Sequence, residues 1–194
     1  MPLVHFDRST LPLQPWKNGG GVTREIVCMP PGTDCAPFDW RVSIAHIARS
    51  GPFSEFVGID RVITLLEGPG VHLRSPDGAI DHRLDTPLRP FAFAGEALVH
   101  ADLLGADCHD FNVMTRRDVC RARVQVLRDA ATLPECAQGI LLAVRGTWQL
   151  HAGRPQQLDI DQGLWWHESS LTWRLTPGHD DAALLAVSIE RARP

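Results

Sequence analysis

Two segments of the sequence alternate polar with apolar side chains in a pattern that could line a binding pocket. In an extended chain successive side chains point to opposite faces, so Arg41 and Ser43 share one face of the first segment. Asp110, Asn112 and Met114 share one face of the second segment for the same reason. Their neighbours are small or apolar rather than Lys and Glu, which favours a lined pocket over a solvent-facing surface. In such a pocket the guanidinium of Arg41 would bind a carboxylate, and the hydroxyl and amide groups would fix its orientation.

A loop that contains Phe53 and Phe56 comes before a further arginine, Arg61. The two phenylalanine rings have two interpretations, since they could cover a ligand or plug the open end of a β-barrel. Arg61 also has two interpretations. It could form a structural salt bridge to Asp60 or Glu25, or it could bind the carboxylate of a ligand together with the arginine of the first segment.

Three consecutive glycines follow Asn18, which neither a helix nor an ordinary strand interior would need. The dipeptide Asn18-Gly19 is typical of a tight hairpin turn, and the residues after the glycines have strand character. Bare backbone also presents N–H groups to an anion, so a turn and a binding role are compatible here. Lys17 is the only lysine among the 19 basic residues, and it would place a compact ammonium at the rim of such a site. We expect the backbone at Gly20 to approach the ligand closely.

The sequence contains none of the usual spacings of metal ligands. The nine histidines are isolated, with no H-x-H or H-x-x-H, and the five cysteines contain no C-x-x-C pair. We therefore predict that the protein uses no metal and no cofactor. A G-x-S-x-G nucleophile motif is also absent from the sequence. Glu25, Glu96 and Asp110 are the carboxyl groups that could supply acid–base chemistry.

Length and charge exclude several classes of protein. A chain of 194 residues is long enough to build its core without disulfide or metal staples. The net charge of −4 and the pI near 6.1 argue against nucleic acid or an anionic membrane as the main partner. The odd number of cysteines favours reduced thiols, and no stretch has the apolar length of a signal peptide or a membrane span. We expect a soluble cytoplasmic protein.

Scattered prolines and glycines cut the chain into pieces of strand length, which predicts an all-β protein. Long segments with a helical period are absent from the sequence, and the only helix that we expect is about one turn near Gly51 to Val57. The predicted strands are 23–28, 40–47, 61–67, 70–74, 98–104, 110–115, 122–127, 140–145, 147–151, 163–166, 171–175 and 183–189.

An internal repeat predicts that these strands form two similar bodies. Residues 63–68 resemble residues 141–146, and residues 110–114 occupy the position that residues 184–188 occupy in the second copy. Two copies of one strand pattern predict two small β-barrels of jelly-roll type. We expect a first barrel over residues 1–127 and a smaller, mainly structural barrel over residues 128–194, with strands that could be exchanged between them. The polar segments place the function in the first barrel.

Long, ordered motifs of this chain resemble the HutD/Ves family. They include PWKNGGGVTRE at 15–25, FDWRVSIA at 38–45, GPFSEF at 51–56, GIDR at 58–61, FAGE at 93–96 and DFNVMTRR at 110–117. The similarity covers roughly residues 3 to 190. It implies a bicupin with two barrels of the RmlC-like cupin type, and it implies a setting in bacterial histidine utilisation or stress response. No catalytic activity is securely attached to the family.

Two hypotheses for the function follow from the residues and the resemblance. In the first, the protein is a regulator that binds a small anionic metabolite, such as urocanate or a formyl or formimino derivative of glutamate. In the second, it is a metal-independent cupin enzyme that acts on such a compound. The missing metal and nucleophile motifs favour the first hypothesis, and a homodimer is left open. The predicted ligand-binding residues are Trp16, Lys17, Asn18, Gly20, Thr23, Glu25, Arg41, Ser43, Phe53, Ser54, Arg61, Asp110, Asn112 and Met114.

Overall fold

A computed structural model of the chain describes residues 3–32 and 37–192, and it is built of β-strands. Cys35 lies outside the described residues, and the four described cysteines are free thiols. The described part of the chain contains no helix that could span a lipid bilayer. The chain starts with β1 (Val4–Asp7), a short 3-10 helix (Arg8–Thr10), β2 (Leu13–Pro15) and β3 (Gly21–Met29).

Two successive sets of eight strands follow, and they have the same topology. The first set consists of β4 (Trp40–Ile47), β5 (Gly51–Pro52), β6 (Ile59–Glu67), β7 (Val71–Arg74), β8 (Asp81–Leu84), β9 (Phe91–Ala94), β10 (His100–Leu103) and β11 (Cys108–Arg116). The second set consists of β12 (Cys120–Leu127), β13 (Ala131–Cys136), β14 (Gly139–Arg145), β15 (Trp148–Ala152), β16 (Arg154–Leu158), β17 (Gln162–Trp166), β18 (Leu171–Pro177) and β19 (Ala183–Arg191).

Each set of eight strands forms two sheets. In the first set the strand orders are β4-β11-β6-β9 and β5-β10-β7-β8, and in the second they are β12-β19-β14-β17 and β13-β18-β15-β16. The orders match strand by strand, which confirms the internal repeat and the jelly-roll arrangement. The N-terminal strands extend the sheet edges: β2 and β3 join the first set beside β4, and β1 joins the second set beside β17.

The chain divides into two compact units. The first unit is Pro12–Arg121, and the second consists of the residues up to Leu11 together with those from Ala122 onward. These bounds differ from the expected 1–127 and 128–194, because β1 and β12 are the two edge strands of a sheet of the second unit. The two units are described separately below.

The prediction of a helical turn near Gly51 to Val57 is wrong. Gly51 and Pro52 form β5, and the residues after them are irregular. The N–H groups of Phe53 and Phe56 donate to the carbonyls of Val99 and Gly95, at 2.8 Å in both cases, so they do not bond within a helical turn. The helical turn that does form lies at Arg8–Thr10, where the Asp7 carboxylate accepts a hydrogen bond from the N–H of Ser9.

Each unit buries its own apolar core. The core of the first unit contains Ile47, Ile63, Leu65, Val71, Leu73, Leu84, Phe93, Val99, Ala101 and Cys108. The core of the second unit contains Leu141, Ala143, Trp148, Leu150, Leu158, Leu164, Trp166, Trp173, Leu175, Ala182, Leu184 and Ala186. The side chains that could do chemistry lie on the same sheet face as the first of these cores.

Candidate functional site

The site is built on β11, which lies between β4 and β6 near the middle of the six-stranded sheet of the first unit. Residues that are directly opposite in an antiparallel pair point to the same face. Asp110 lies opposite Ala45 and Leu65, and Asn112 lies opposite Ser43 and Ile63. The next residue on this face, Met114, lies opposite Arg41 and Arg61. The register therefore places both predicted arginines, Ser43 and the polar residues of β11 on one face. The alternating pattern predicts the part of this that lies within a strand, Arg41 with Ser43 and Asp110 with Asn112.

Three of these side chains form a hydrogen-bonded chain, which we call the buried polar cluster: Arg61, Asn112 and Asp110. Nη2 of Arg61 donates to Oδ1 of Asn112 at 3.3 Å, and Nδ2 of Asn112 donates to Oδ1 of Asp110. Nη1 of Arg61 donates to the carbonyl oxygen of Ser54 at 3.4 Å. Only 8% of Arg61, 7% of Asn112 and 1% of Asp110 is exposed to solvent. An amide thus separates the buried cation from the buried carboxyl group.

Two polar atoms of this cluster are buried and have no hydrogen-bond partner among the described residues, Nε of Arg61 and Oδ2 of Asp110. We call them the open atoms. Most buried polar atoms in folded proteins are hydrogen-bonded, because an unsatisfied donor or acceptor costs roughly 1–3 kcal/mol. One open atom is a donor on a cation and the other belongs to a carboxyl group. A bound ligand that supplies the matching groups would satisfy both.

Three aromatic rings surround the guanidinium of Arg61. Its central carbon lies 5.0 Å from the ring centre of Phe93, 5.1 Å from that of Phe53 and 5.7 Å from that of Phe56. These distances allow cation–π contacts, which hold a guanidinium without neutralising its charge. Arg61 does not form the salt bridge to Asp60 that one of its two interpretations allows, because Asp60 pairs with Arg117. The other proposed partner, Glu25, pairs with the second arginine of the site.

Burial shifts the pKa values of both ionisable groups of the cluster toward their neutral forms. Desolvation raises the pKa of Asp110 to about 7, although the charge of Arg61 and the hydrogen bond from Asn112 act in the opposite direction. Desolvation likewise lowers the pKa of Arg61 to about 10, against the charge of Asp110. At neutral pH Arg61 is therefore a cation, and the Asp110 carboxyl group is close to its titration midpoint.

The second arginine of the site is already paired. Nε of Arg41 donates to Oε2 of Glu25 at 2.6 Å, and both side chains are partly buried. Ser43 on β4 connects this ion pair to the cluster, because it lies opposite Glu25 on β3 and opposite Asn112 on β11. The Arg41–Glu25 pair thus extends the polar surface toward β3.

The glycine stretch forms the turn between β2 and β3, as the Asn18-Gly19 dipeptide predicts. The N–H of Gly19 donates to the carbonyl of Trp16 at 3.0 Å, and Gly19 has a φ of +67°. Oδ1 of Asn18 accepts from the N–H of Gly20 at 2.9 Å, so this side chain closes the turn. Lys17 and Asn18 are exposed. A ligand contact for Lys17 and Gly20 stays a prediction.

Trp16, on the strand side of the same turn, packs against the core of the first unit. Its indole Nε1 donates to Oγ1 of Thr23 at 2.7 Å, and Thr23 lies opposite Ala45 on the face that carries the cluster. Of the three consecutive glycines, Gly21 is the one that packing requires. A Cβ there would lie 2.2 Å from the carbonyl oxygen of His46 and 3.3 Å from the Trp16 ring.

The remaining predicted residues have separate roles. Phe53 packs against the core of the first unit and against Arg61, and Ser54 contributes its carbonyl rather than its hydroxyl. Met114 packs in a different apolar group, with Phe38 and Ile59. The structure thus gathers ten of the predicted residues around one sheet face: Trp16, Thr23, Glu25, Arg41, Ser43, Phe53, Arg61, Asp110, Asn112 and Met114.

Phe93 is a contact of Arg61 that the sequence did not reveal. It lies directly opposite Arg61 in the pairing of β6 with β9. The four residues of β9 stand between Pro90 and Gly95, and these flanking residues obscure the strand. The alternation of Phe91 and Phe93 is the signal that could have located it.

The second unit provides an internal comparison for the cluster. Leu65, Ile63 and Arg61 of β6 pair with Asp110, Asn112 and Met114 of β11. The corresponding pairs of β14 and β19 are Ala143 with Leu184, Leu141 with Ala186 and Gly139 with Ser188. In the second unit Leu184, Ala186 and Gly139 therefore stand where Asp110, Asn112 and Arg61 stand in the first. The same fold accepts small and apolar residues at all three positions.

Hollows outside the cluster include two that are lined by described residues. One is a depression of the first unit lined by Val57, Gly58, Arg116, Arg117 and Asp118. Both of its arginines already pair with carboxylates, Arg116 with Asp39 and Arg117 with Asp60 and Glu96. The other is a cavity of about 20 Å³ in the second unit, beside the Trp166 and Trp173 rings, and it has room for one water molecule. Within the described ranges, no group of three or more His, Cys, Asp or Glu side chains could hold a metal ion.

Sequence comparisons match most of this chain to one family and to two of its relatives. The model of the HutD family matches residues 8–185. The chain is 43% identical to Protein Ves of Escherichia fergusonii over 174 residues, which is 89% of this chain and 87% of the relative. It is 45% identical to Protein Ves of Cronobacter sakazakii over 171 residues, 88% of this chain and 90% of the relative.

Solved structures show the same architecture. A conserved protein of unknown function from Pseudomonas aeruginosa PAO1 is similar with a TM-score of 0.86 and 35% identity, over 98% of this chain and all of that one. HutD from Pseudomonas fluorescens SBW25, solved in a formate condition, has a TM-score of 0.84 and 29% identity, over 99% of this chain and 100% of that chain. A cupin barrel protein from Leptotrichia buccalis has a TM-score of 0.58 at 6% identity, over 88% of this chain and 89% of that one, which shows the cupin fold alone. The bicupin prediction is thus confirmed.

Proposed function

Because the chain belongs to the HutD family, we propose that its first unit binds a small anionic metabolite of histidine catabolism and that the protein acts as a regulator that senses this compound. The proposed ligands are urocanate and the formyl and formimino derivatives of glutamate, all of which carry a carboxylate. The proposal includes a cytoplasmic location, which accords with the four free thiols of the described cysteines.

The observation that carries the proposal is the buried polar cluster with its two open atoms. Burying a charged side chain without a full set of partners costs several kcal/mol in most proteins. The second unit reaches the same fold with Leu184 and Ala186 at the positions of Asp110 and Asn112. The fold therefore has no need of the polar residues, and a ligand that completes their hydrogen bonds gives a reason for them.

The arrangement favours a carboxylate over other ligands. The guanidinium of Arg61 keeps its charge because aromatic rings and neutral acceptors hold it, so its open Nε is available to an anion. Arg41 is less available, since Glu25 already occupies its Nε. Ser43 and Asn112 lie where a hydroxyl and an amide can orient the ligand. The rings of Phe53 and Phe56 lie over the Arg61 guanidinium, so a ligand that reaches it has to displace at least one of these rings.

Calorimetric titration with urocanate and with N-formylglutamate tests the proposal. We expect at least one of them to bind, and we expect Arg61→Gln to weaken binding by about 30-fold or more, which corresponds to about 2 kcal/mol. Arg83→Gln is the matched control, because Arg83 is an exposed arginine of the same unit that pairs with Asp85. The proposal fails if neither compound binds, or if Arg61→Gln keeps its fold and binds as tightly as Arg83→Gln.

One observation favours the enzymatic alternative. A buried carboxyl group with a pKa of about 7, such as Asp110, is suited to general acid–base catalysis at neutral pH. NMR spectra of each compound, followed during incubation with the protein, separate the two functions. Binding without change of the compound supports the regulator. Formation of a product that Asp110→Asn abolishes would establish a metal-independent enzyme instead.

A further inference from the structure

The position of Asp110 has a consequence for how an anion can bind. Its carboxyl group is sealed from solvent, and it is linked to Arg61 only through the amide of Asn112. Oδ1 accepts a hydrogen bond from Asn112, so a proton on this carboxyl group would sit on Oδ2, which is an open atom. The nearest strong counter-charge for an ionised Asp110 is Arg61, the same group to which the ligand is proposed to bind.

We propose that Asp110 takes up a proton when an anion binds at Arg61, so that this site captures the ligand together with one proton. The inference rests on the proposed function and adds a coupling between ligand affinity and pH. Two negative groups, the ligand and an ionised Asp110, would otherwise share one buried guanidinium in a medium of low polarity. Protonation of Oδ2 removes this repulsion and turns the open acceptor into a donor.

Other ionisable groups near Asp110 do not offer a second route for the proton. On the same face, β4 contributes Arg41 and β3 contributes Glu25, and these two are already an ion pair. On β11 itself Cys108 has a pKa that burial and the nearby carboxylates raise to about 12, so it stays protonated. The opposite sheet, β5-β10-β7-β8, contributes Val71, Leu73, Leu84 and Ala101 to this core, and none of these titrates. One titratable side chain of that sheet, His82, lies opposite Leu73 on the same face and stacks on the Phe91 ring, with 3.8 Å between ring centres. Burial lowers the pKa of His82 below its ordinary value, so it is already neutral in the range where Asp110 loses its proton.

The direction of the pH dependence follows from this coupling. In the free protein the pKa of Asp110 is raised to about 7, with Arg61 acting to hold it down. An anion that neutralises Arg61 removes that effect, so the pKa of Asp110 rises further in the complex. The complex therefore holds more protons than the free protein above about pH 7, and affinity falls as pH rises, by up to about tenfold per pH unit. Below about pH 6 the carboxyl group is protonated in both states, and affinity is constant.

Calorimetry with N-formylglutamate, which has no group that titrates between about pH 6 and about pH 9, tests the inference. We expect the wild-type affinity to be flat up to about pH 6.5 and to fall above about pH 7.5. At about pH 8 the binding enthalpy should differ between Tris and HEPES buffers by the amount that uptake of close to one proton requires. Asp110→Asn should keep an affinity near the low-pH value at every pH and take up no proton.

Asp102→Asn is the matched control, because Asp102 is a carboxylate of the same unit that pairs with Arg74 on the outer face of the other sheet. It should retain the pH dependence of the wild type. Binding of the wild type with the same affinity across this pH range, or pH dependence that persists in Asp110→Asn, overturns the inference and leaves the proposed function standing. Failure of both N-formylglutamate and urocanate to bind at any pH overturns the proposed function, and the inference with it.

Discussion

Replacing Asp110 by Asn should stabilise the ligand-free protein at neutral and alkaline pH and leave its stability almost unchanged in acid. Burial disfavours the charge of this carboxyl group and raises its pKa from the ordinary aspartate value of 3.8, which applies to the unfolded chain, to about 7 in the folded protein. Between these two values the unfolded chain loses its proton while the folded protein keeps it. The unfolded state thus binds fewer protons, so the contribution of Asp110 to stability falls as pH rises from about 4 to about 7.

The size of the effect follows from the shift. A difference of roughly three pKa units corresponds to roughly 4 kcal/mol, at about 1.4 kcal/mol per unit. Asn has nearly the same shape as a protonated Asp and does not titrate. The difference in unfolding free energy between Asp110→Asn and the wild type should therefore be near zero at about pH 4 and grow to a few kcal/mol by about pH 8.

Urea denaturation of both proteins at a series of pH values, followed by tryptophan fluorescence, measures this difference. Other carboxylates cancel in the comparison because both proteins contain them. Asp102→Asn serves as a control of opposite sign. The hydrogen bond from Arg74 lowers the pKa of Asp102, so this carboxylate stabilises the protein above its unfolded pKa and the variant should lose stability at neutral pH. A difference between wild type and Asp110→Asn that stays constant from acid to alkali would refute the assignment of the raised pKa to Asp110.

Two further predictions concern the glycine turn and metal content. Gly21→Ala should destabilise the protein by about 3 kcal/mol or more, because its Cβ would meet the carbonyl oxygen of His46 at 2.2 Å. Gly20→Ala should cost about 1 kcal/mol, since the atom nearest to its Cβ would be Oδ1 of the Asn18 side chain at 3.1 Å. Equal urea midpoints for the two variants would contradict this. Elemental analysis of the purified protein should find no stoichiometric Fe, Mn, Ni or Zn, and one such ion per chain would reopen metal chemistry at this site.

The twelve strands that the sequence predicts are all present, and the seven that it missed have one feature in common. They are β1, β2, β5, β8, β9, β13 and β16, and each lies at the edge of its sheet. Edge strands tolerate proline and charged residues, as Pro52 in β5 and Pro155 in β16 illustrate. The usual strand patterns exclude such residues, so the sequence reveals central strands far better than edges.

For the candidate site, too, the sequence predicts some features well and others not at all. The period of two correctly placed Asp110 with Asn112, and Arg41 with Ser43, because alternation within a strand needs only local sequence. The register between β4 and β11 brings the two pairs onto one face. The sequence could not distinguish the two arginines, since their difference depends on neighbours that are distant in the chain. Arg41 meets Glu25 across β3 and β4, whereas Arg61 meets Phe93 across β6 and β9. Register and edge strands decide these contacts.

The stability of the free protein and its affinity for an anion should report the same proton. In the thermodynamic cycle, the pH at which affinity begins to fall is the pKa of Asp110 in the free folded protein. The pH at which the stability difference between Asp110→Asn and the wild type reaches its plateau is that same pKa. One group therefore has to give one value in two independent measurements, urea denaturation without ligand and calorimetry with N-formylglutamate. If the two values differ by more than about one pH unit, the proton that moves on binding belongs to a group other than Asp110.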